Sequence, residues 1–162
     1  MLALRGVPGI YFHSLFGSQN WAEGVEKTGR HRTINRQKVQ LSQIETELND
    51  PTSLRHHVFT GYKKLLKARM GNPAFHPYGA QEILSIHPSV FALLRASLDG
   101  KTRTLCLTNV SRHSLEIVVD LKSLSLTDAT SLTDILSQKE FSINDQQLKI
   151  KIAPYEIILL TG

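Results

Sequence analysis

Residues 7–38 read VPGIYFHSLFGSQNWAEGVEKTGRHRTINRQK. The stretch opens with a short apolar run, Ile10–His13, introduced by Pro8-Gly9. Its length suits a buried strand better than a helix. From Gly17 to Arg36 no apolar period is visible, so this part reads as a loop. It gathers Asn20, Trp21, Glu23, Glu26, Lys27, Arg30, His31, Arg32, Asn35 and Arg36. A packing segment has no use for so many planar hydrogen-bonding groups. A polar loop after a core strand is where parallel barrels and doubly wound sheets keep their binding residues.

Downstream, Leu41, Ile44 and Leu48 recur at helical spacing, and Ser42 with Glu45 has the form of a capping box. A longer helix is predicted from about Thr52 to Met70, with Leu54, Val58, Phe59, Tyr62, Leu65, Leu66 and Met70 on one stripe. Gly71-Asn72-Pro73 ends it. Lys63, Lys64, Lys67 and Arg69 read as a solvated face and a favourable last turn. After the connector PAFHPYG (73–79) the apolar period changes from 3.6 to 2. Val90–Arg95, Thr102–Asn109, Leu115–Leu121, Gln147–Ile152 and Glu156–Leu160 read as strands, with shorter candidates at Leu132–Leu136 and Glu140–Ile143. Asp99-Gly100 signals a hairpin and Asn144-Asp145 a second turn. Short strands between turns, with no helices among them, imply an antiparallel sheet or small sandwich.

The expected fold class is therefore α+β, with helices over residues 1–79 and an antiparallel all-β domain over 80–162. The first part makes little sense alone, because a single strand has no ladder partner for its N–H and C=O groups. A complete eight-stranded barrel takes about 250 residues. The sequence is thus expected to be the C-terminal end of a longer enzyme, unless Ile10–His13 is put to some other use.

Composition narrows the class. With 162 residues, 41% apolar and 20% charged, the chain suits an ordinary globular protein of one or two small domains. No apolar run approaches the roughly 18 residues of a membrane span. Pro8-Gly9 interrupts the start, and no small-residue cleavage site follows, so a core strand is preferred there to a signal peptide. The single cysteine, Cys106, excludes an internal disulfide, fits a reducing cytoplasm and reads as a buried strand residue. The net charge of +5 is uneven: residues 1–80 hold 11 Lys and Arg against 5 Asp and Glu, residues 81–162 hold 8 against 9. Neither an aromatic platform nor a recognised motif joins the basic half, so a nucleic-acid partner is not expected. No Cys/His spacing suits zinc, and adjacent His56-His57 point to different helix faces, so no metal is expected. Glu23 and Glu26 lie three residues apart without apolar surroundings to raise a pKa, which argues against an acid/base pair. There is no Gly-x-Ser-x-Gly turn.

GVPGIYFHSLFGSQN (6–20) resembles the eighth barrel strand and following loop of glycoside hydrolase family 13, the α-amylase superfamily. EKTGRHRTINRQK (26–38) is similar to the sucrose phosphorylase group of that family, in which a Gly-Arg…Ile-Asn-Arg segment follows strand eight. Residues 43–75 look like the last barrel helix and the exit to a C-terminal domain. The resemblance implies residues 1–79 as the end of a catalytic barrel and 80–162 as its β C-terminal domain. It implies reversible transfer of a glucosyl unit from an α-glucoside to phosphate through a covalent intermediate, with no organic cofactor or metal. The carboxylates for that chemistry follow strands four and five in the resembled family, and a His-Asp pair follows strand seven. None of these strands lies in this chain, so its catalytic set is empty and its expected partners are the missing barrel segment, a glucoside and phosphate.

What the resemblance leaves to this chain is sugar holding. The arginine that reaches the glucosyl subsite matches Arg32, with Arg30 as the alternative. Asn35 and Arg36 are read as loop organisers. His31 and Lys27 are candidates for an anionic acceptor or phosphate, and Trp21 for a stacking platform at the acceptor rim. Where sucrose phosphorylases carry His-Tyr-Tyr after Ile-Asn-Arg, this chain has Gln37-Lys38-Val39. With the basic run Gly29-Arg30-His31-Arg32, that is more like relatives acting on glucosylglycerate or a phosphorylated sucrose. The competing readings are a hydrolase or transglucosidase of the same superfamily, and a stand-alone carbohydrate-binding or scaffolding domain. The oligomeric state stays open.

Overall fold

A computed structural model describes residues 1–124, 126 and 130–162. The chain forms two compact units, Met1–Pro8 with Lys67–Gly162, and Gly9–Leu66.

The larger unit is built on antiparallel pairing. Its strands are β1 (Gln81–His87), β2 (Val90–Ala96), β3 (Arg103–Asn109), β4 (Leu115–Asp120), β5 (Ser131–Asp134), β6 (Glu140–Ser142), β7 (Gln147–Ile152) and β8 (Ile157–Thr161). Six of them form one sheet in the order β1-β2-β3-β8-β5-β6, and β4 pairs with β7 in a second. The registers put Leu94, Leu105 and Leu160 in one row and Leu93, Cys106 and Leu159 in the next. Successive side chains leave a strand on opposite faces, so the rows serve two cores. The first row joins Ile117, Val119, Leu148, Ile150 and Ile152 of the second sheet. The second row packs against Phe75 on the other face. That explains why β2, β3 and β8 are near-continuous apolar runs, whereas β4 and β7 alternate buried and exposed. The hairpin at Asp99-Gly100 is held by the Asp99 carboxylate, which accepts from Ser97 Oγ (2.5 Å) and the Lys101 N–H (3.1 Å). Buried Asn109 donates from Nδ2 to the carbonyls of His113 and Ala153, tying the end of β3 to the end of β7.

Two arginines fasten the N-terminal segment of this unit. Arg95 is fully buried on β2. It donates to the carbonyls of Ala80 (3.2 Å), Ala3 (3.1 Å) and His76 (2.7 Å). Arg69, also buried, donates to the carbonyls of Leu2, Leu4 and Gly6. Burial pushes both guanidinium pKa values down, and for Arg95 the neighbouring Arg69 charge adds to it. Arg69 is therefore not part of a solvated face, whereas Lys63, Lys64 and Lys67 are exposed as expected.

The Gly9–Leu66 unit is helical: α1 (Phe12–Leu15), α2 (Ala22–Thr28), a 3-10 turn (His31–Asn35), α3 (Leu41–Asn49) and the first part of α4 (Leu54–Gly71). Several expectations need correction. Ile10–His13 is not a strand. Among the described residues no strand pairs with it, and Leu15 N–H closes a helical turn on Tyr11 O (3.0 Å) instead. The segment Gly17–Arg36 is not all loop. Ser42 and Glu45 form no capping box: α3 starts from Gln40 without a side-chain cap, and the Ser42 carbonyl accepts from Thr46 Oγ1 inside the helix. The cap appears on the next helix, where Ser53 Oγ accepts from the His56 N–H (3.0 Å). On α4, Tyr62 is half-buried, while Leu54 and Met70 are exposed.

Candidate functional site

Within the Gly9–Leu66 unit, residues 21–36 form a helix and a 3-10 turn that fold onto each other. Gly29 reverses the chain between them. It sits in the left-handed region (φ 65°) and closes α2 by donating its N–H to Val25 O (2.8 Å), a conformation glycine adopts without a Cβ penalty. The two limbs are stitched through the backbone and hydroxyls. Trp21 N–H donates to Ile34 O (2.6 Å), and Tyr11 Oη donates to Asn35 O (2.9 Å). Thr28 Oγ1 lies 2.7 Å from Gly24 O and 3.1 Å from Thr33 Oγ1.

Trp21 packs on its own helix. A Cβ built on Gly24 would stand 2.1 Å from the indole Cε3, so the six-membered ring of the indole packs directly against Gly24. Glu23 is tied to Lys27 (2.5 Å). The hydrogen bond and charge of Lys27 hold the Glu23 carboxyl below its ordinary value. A general acid needs the opposite shift.

Arg30, His31, Arg32, Asn35 and Arg36 are all exposed. Among the described residues, none of the guanidiniums of Arg30, Arg32 and Arg36 takes a carbonyl or a carboxylate partner. Holding the loop together falls instead to the Trp21 N–H, the Tyr11 hydroxyl and the two threonines. Asn35 takes part through its backbone carbonyl. The turn thus presents three unpaired planar cations and an imidazole within seven residues, on a frame that does not need them. A planar guanidinium suits vicinal hydroxyls, carboxylate or phosphate.

The support beneath was not legible in the sequence. Arg55, in the first turn of α4, is buried. It bonds Glu47 Oε2 (2.7 Å) and Phe16 O (3.0 Å) and lies 3.4 Å from Ser18 Oγ. It joins α3, α4 and the entry to the polar segment. Gly17 sits against Val58, and Phe16 stacks on Phe59 at 5.3 Å. Nothing in the local pattern separated Arg55 from a solvated arginine.

The β unit offers open clefts along β1. One of them, of about 350 Å³, is lined by residues that include Glu82, Leu84, Ile86, Val119, Asp120 and Leu124. No cluster of three or more His, Cys, Asp or Glu that could hold a metal exists among the described residues. Cys106 is buried, and desolvation pushes its thiol up to about 12, the state of an inert core residue. Among the described residues no helix is long and apolar enough to cross a membrane.

No family model matches the chain. It is similar to glucosylglycerate phosphorylases: 46% identical over 165 residues to that of Spirochaeta thermophila, and 38% identical over 140 residues to that of Escherichia coli. These alignments take in 99% and 86% of this chain but 28% and 24% of the relatives, so the chain spans about a quarter of their length. Among solved structures it is similar to AmyP in complex with maltotriose (TM-score 0.64, 16% identity, 79% of this chain and 24% of that one). It is also similar to an Anoxybacillus α-amylase (TM-score 0.61, 15% identity, 79% and 25%). At such identities the structural likeness speaks for the fold alone, and the fold is that of the C-terminal region of α-amylase-type enzymes. Sequence and fold together make the chain similar, over about a quarter of their length, to glucosylglycerate phosphorylases, with the fold of the C-terminal region of α-amylase-type enzymes.

Proposed function

We propose that this chain supplies the sugar-holding loop and the β domain of a glucoside phosphorylase, with glucosylglycerate and phosphate as the substrates. The observation that carries the reading is the exposed Arg30–Arg36 turn, whose guanidiniums have no protein partner among the described residues. The likeness to glucosylglycerate phosphorylases supports the choice of donor. Arg32 holds glucosyl hydroxyls, with Arg30 as the alternative. His31 and Lys27 meet the acceptor anion, a carboxylate or phosphate, and Trp21 lies at the acceptor rim. Asn35 keeps the turn closed through its carbonyl. Residues 1–79 are assigned to the end of the catalytic barrel and 80–162 to its β domain, and Cys106 supports a cytoplasmic setting.

The chemistry is retaining transfer. A carboxylate displaces the aglycone to form a glucosyl ester, and phosphate then takes the glucosyl unit to give α-glucose 1-phosphate. This chain's own residues bind and orient. Its Glu23 is committed to Lys27, so the chain alone is expected to bind glucoside without turning it over. Trp21 is the only tryptophan, which makes its fluorescence the natural binding readout. Titration with glucosylglycerate should change the emission, and Arg32→Ala should weaken the apparent affinity about tenfold or more. Equal binding by wild type and Arg32→Ala would remove Arg32 from the site. Release of glucose 1-phosphate by the purified chain would overturn the assignment of the catalytic carboxylates elsewhere.

A second reading, a carbohydrate-binding or scaffolding domain, is favoured by the complete core of the β unit. Saccharide binding that survives changes throughout residues 27–36 would support it. Products other than glucose 1-phosphate from a fully assembled enzyme would favour a hydrolase or transglucosidase.

A further inference from the structure

We propose that Arg55 is a positioning residue for the polar segment: from the first turn of α4 it fixes where residues 16–18 leave α1, and so where the Arg30–Arg36 turn is held. Three observations carry this. First, the Phe16 carbonyl, left open at the end of α1, accepts from no backbone N–H among the described residues. Arg55 Nη1 donates to it at 3.0 Å and lies 3.4 Å from Ser18 Oγ. On the other side of the guanidinium, Nε bonds Glu47 Oε2 at 2.7 Å. Gln43 Nε2 donates to Glu47 Oε1 at 2.8 Å, so the carboxylate that holds Arg55 is itself held within α3. Second, among the described residues the two contacts of Arg55 Nη1 are the only hydrogen bonds that join residues 16–36 to α3 or α4. The far end of the turn hangs from the Tyr11 hydroxyl through Asn35 O. Third, the chain comes down onto α4 at the same place. Gly17 lies in the left-handed region (φ 61°), where a Cβ would stand 2.8 Å from Val58 Cγ2, and the Phe16 ring stacks on Phe59. Positions 55, 58 and 59 share one face of α4.

Buried beneath the segment, Arg55 acts on a ligand through the turn rather than by touching it. Its fork bonds a carboxylate on one side and a carbonyl on the other, which the point charge of a lysine cannot do at once. Small misplacements of a binding group weaken its contacts steeply, so a looser entry at residues 16–18 carries over to the guanidiniums beyond it. The consequence for sugar binding rests on the phosphorylase reading.

The test compares the 162-residue chain with Arg55→Lys, which keeps a charge beside Glu47, and with Arg55→Ala. Amide exchange without ligand comes first. The amides of Gly17 and Ser18 donate to Ser14 O and His13 O. In Arg55→Lys they should exchange about tenfold faster, while His57 of α4 and strands β2, β3 and β8 keep their wild-type rates. Titration with glucosylglycerate, read by Trp21 emission, comes second. Arg55→Lys should weaken the apparent affinity about tenfold. In an Arg32→Ala background the same substitution should cost less than about twofold, because both act through one turn. An arginine with a merely structural role would add its full effect in either background. Unchanged exchange at Gly17 and Ser18 overturns the inference, and so do additive losses of affinity. Loss of α4 protection in Arg55→Lys also overturns it, since Arg55 would then belong to the helical scaffold. Should Arg55→Ala fail to fold, Arg55→Lys decides alone. Faster exchange at Gly17 and Ser18 in Arg55→Lys, with no glucosylglycerate bound by the wild type, keeps Arg55 as the residue that sets the turn and sinks the phosphorylase reading.

Discussion

The chain uses arginine in two opposite ways, and the division follows its two compact units. In the β unit, Arg69 and Arg95 are buried and spend their donors on backbone carbonyls of the first six residues and of His76 and Ala80. In the Gly9–Leu66 unit, Arg30, Arg32 and Arg36 stand exposed on a turn closed by other groups. A guanidinium that anchors backbone is unavailable to a ligand. One held clear of the fold keeps its hydrogen-bonding capacity for something that arrives. The same contrast runs through the apolar residues. The β unit owns a two-faced core, whereas Tyr11, Phe12, Leu41 and Leu54 face solvent.

The largest effect that can break this comparison is in stability. Arg95→Ala removes three hydrogen bonds, leaves the Ala3 carbonyl without its donor while those of Ala80 and His76 keep backbone partners, and opens a cavity; it should cost about 3 kcal/mol or more in denaturant unfolding of the β unit. Arg32→Ala should leave the same transition within about 0.5 kcal/mol. Similar losses for both would erase the distinction between anchors and free cations.

Acid should act unevenly. The Glu47 carboxyl is held below its ordinary 4.5 by Arg55 and then Gln43, and Asp50 below its ordinary 3.8 by bonds from Thr52. Because these folded-state pKa values are depressed, their contribution is present above the ordinary values and is lost as pH falls through the folded ones. Asp50 is exposed and Glu47 about one-third exposed, so each contribution is modest. In a unit with so little buried apolar surface they still count. Between about pH 5 and pH 3 the helical signal should decline while the sheet persists. Simultaneous loss of both would show that the two units share one cooperative core.

The smallest effect is local. Gly24→Ala puts a methyl where the indole of Trp21 lies. It should shift Trp21 emission and raise its quenching by acrylamide, while leaving the unfolding midpoint of the sheet unchanged. An unaltered emission would mean that the ring does not rest on Gly24.

Much of the β half was readable because pairing in rows writes itself into the sequence. Leu93 and Leu94, Leu105 to Leu107 and Ile158 to Leu160 are runs that only strands buried on both faces need. β7 (Gln147–Ile152) shows the plain alternation of a one-sided strand. β1 escaped because it is an edge strand: QEILSIH exposes Ile83 and leaves its inward residues half-buried, so no clean period appears. In the first half, Ile10–His13 has the composition of a strand. Composition does not provide a neighbour to bond with, and the backbone closed on itself at Leu15 instead. Helix α2 was hidden by a mid-helix glycine, which the indole of Trp21 explains only once the fold is known. The candidate turn was legible as chemistry, through the density of Arg30, His31, Arg32 and Arg36, but not as geometry. The buried roles of Arg55, Arg69 and Arg95 left no trace, since a buried arginine and a solvated one are the same letter.

The most direct measurement is amide hydrogen exchange on the isolated chain, resolved by segment. The account predicts strong protection, near the global unfolding limit, in β2, β3 and β8, and protection at least a hundredfold weaker across α1–α3 and the His31–Asn35 turn. Equal protection of the two units would contradict it, because Gly9–Leu66 would then carry a core of its own and need no other polypeptide to complete it.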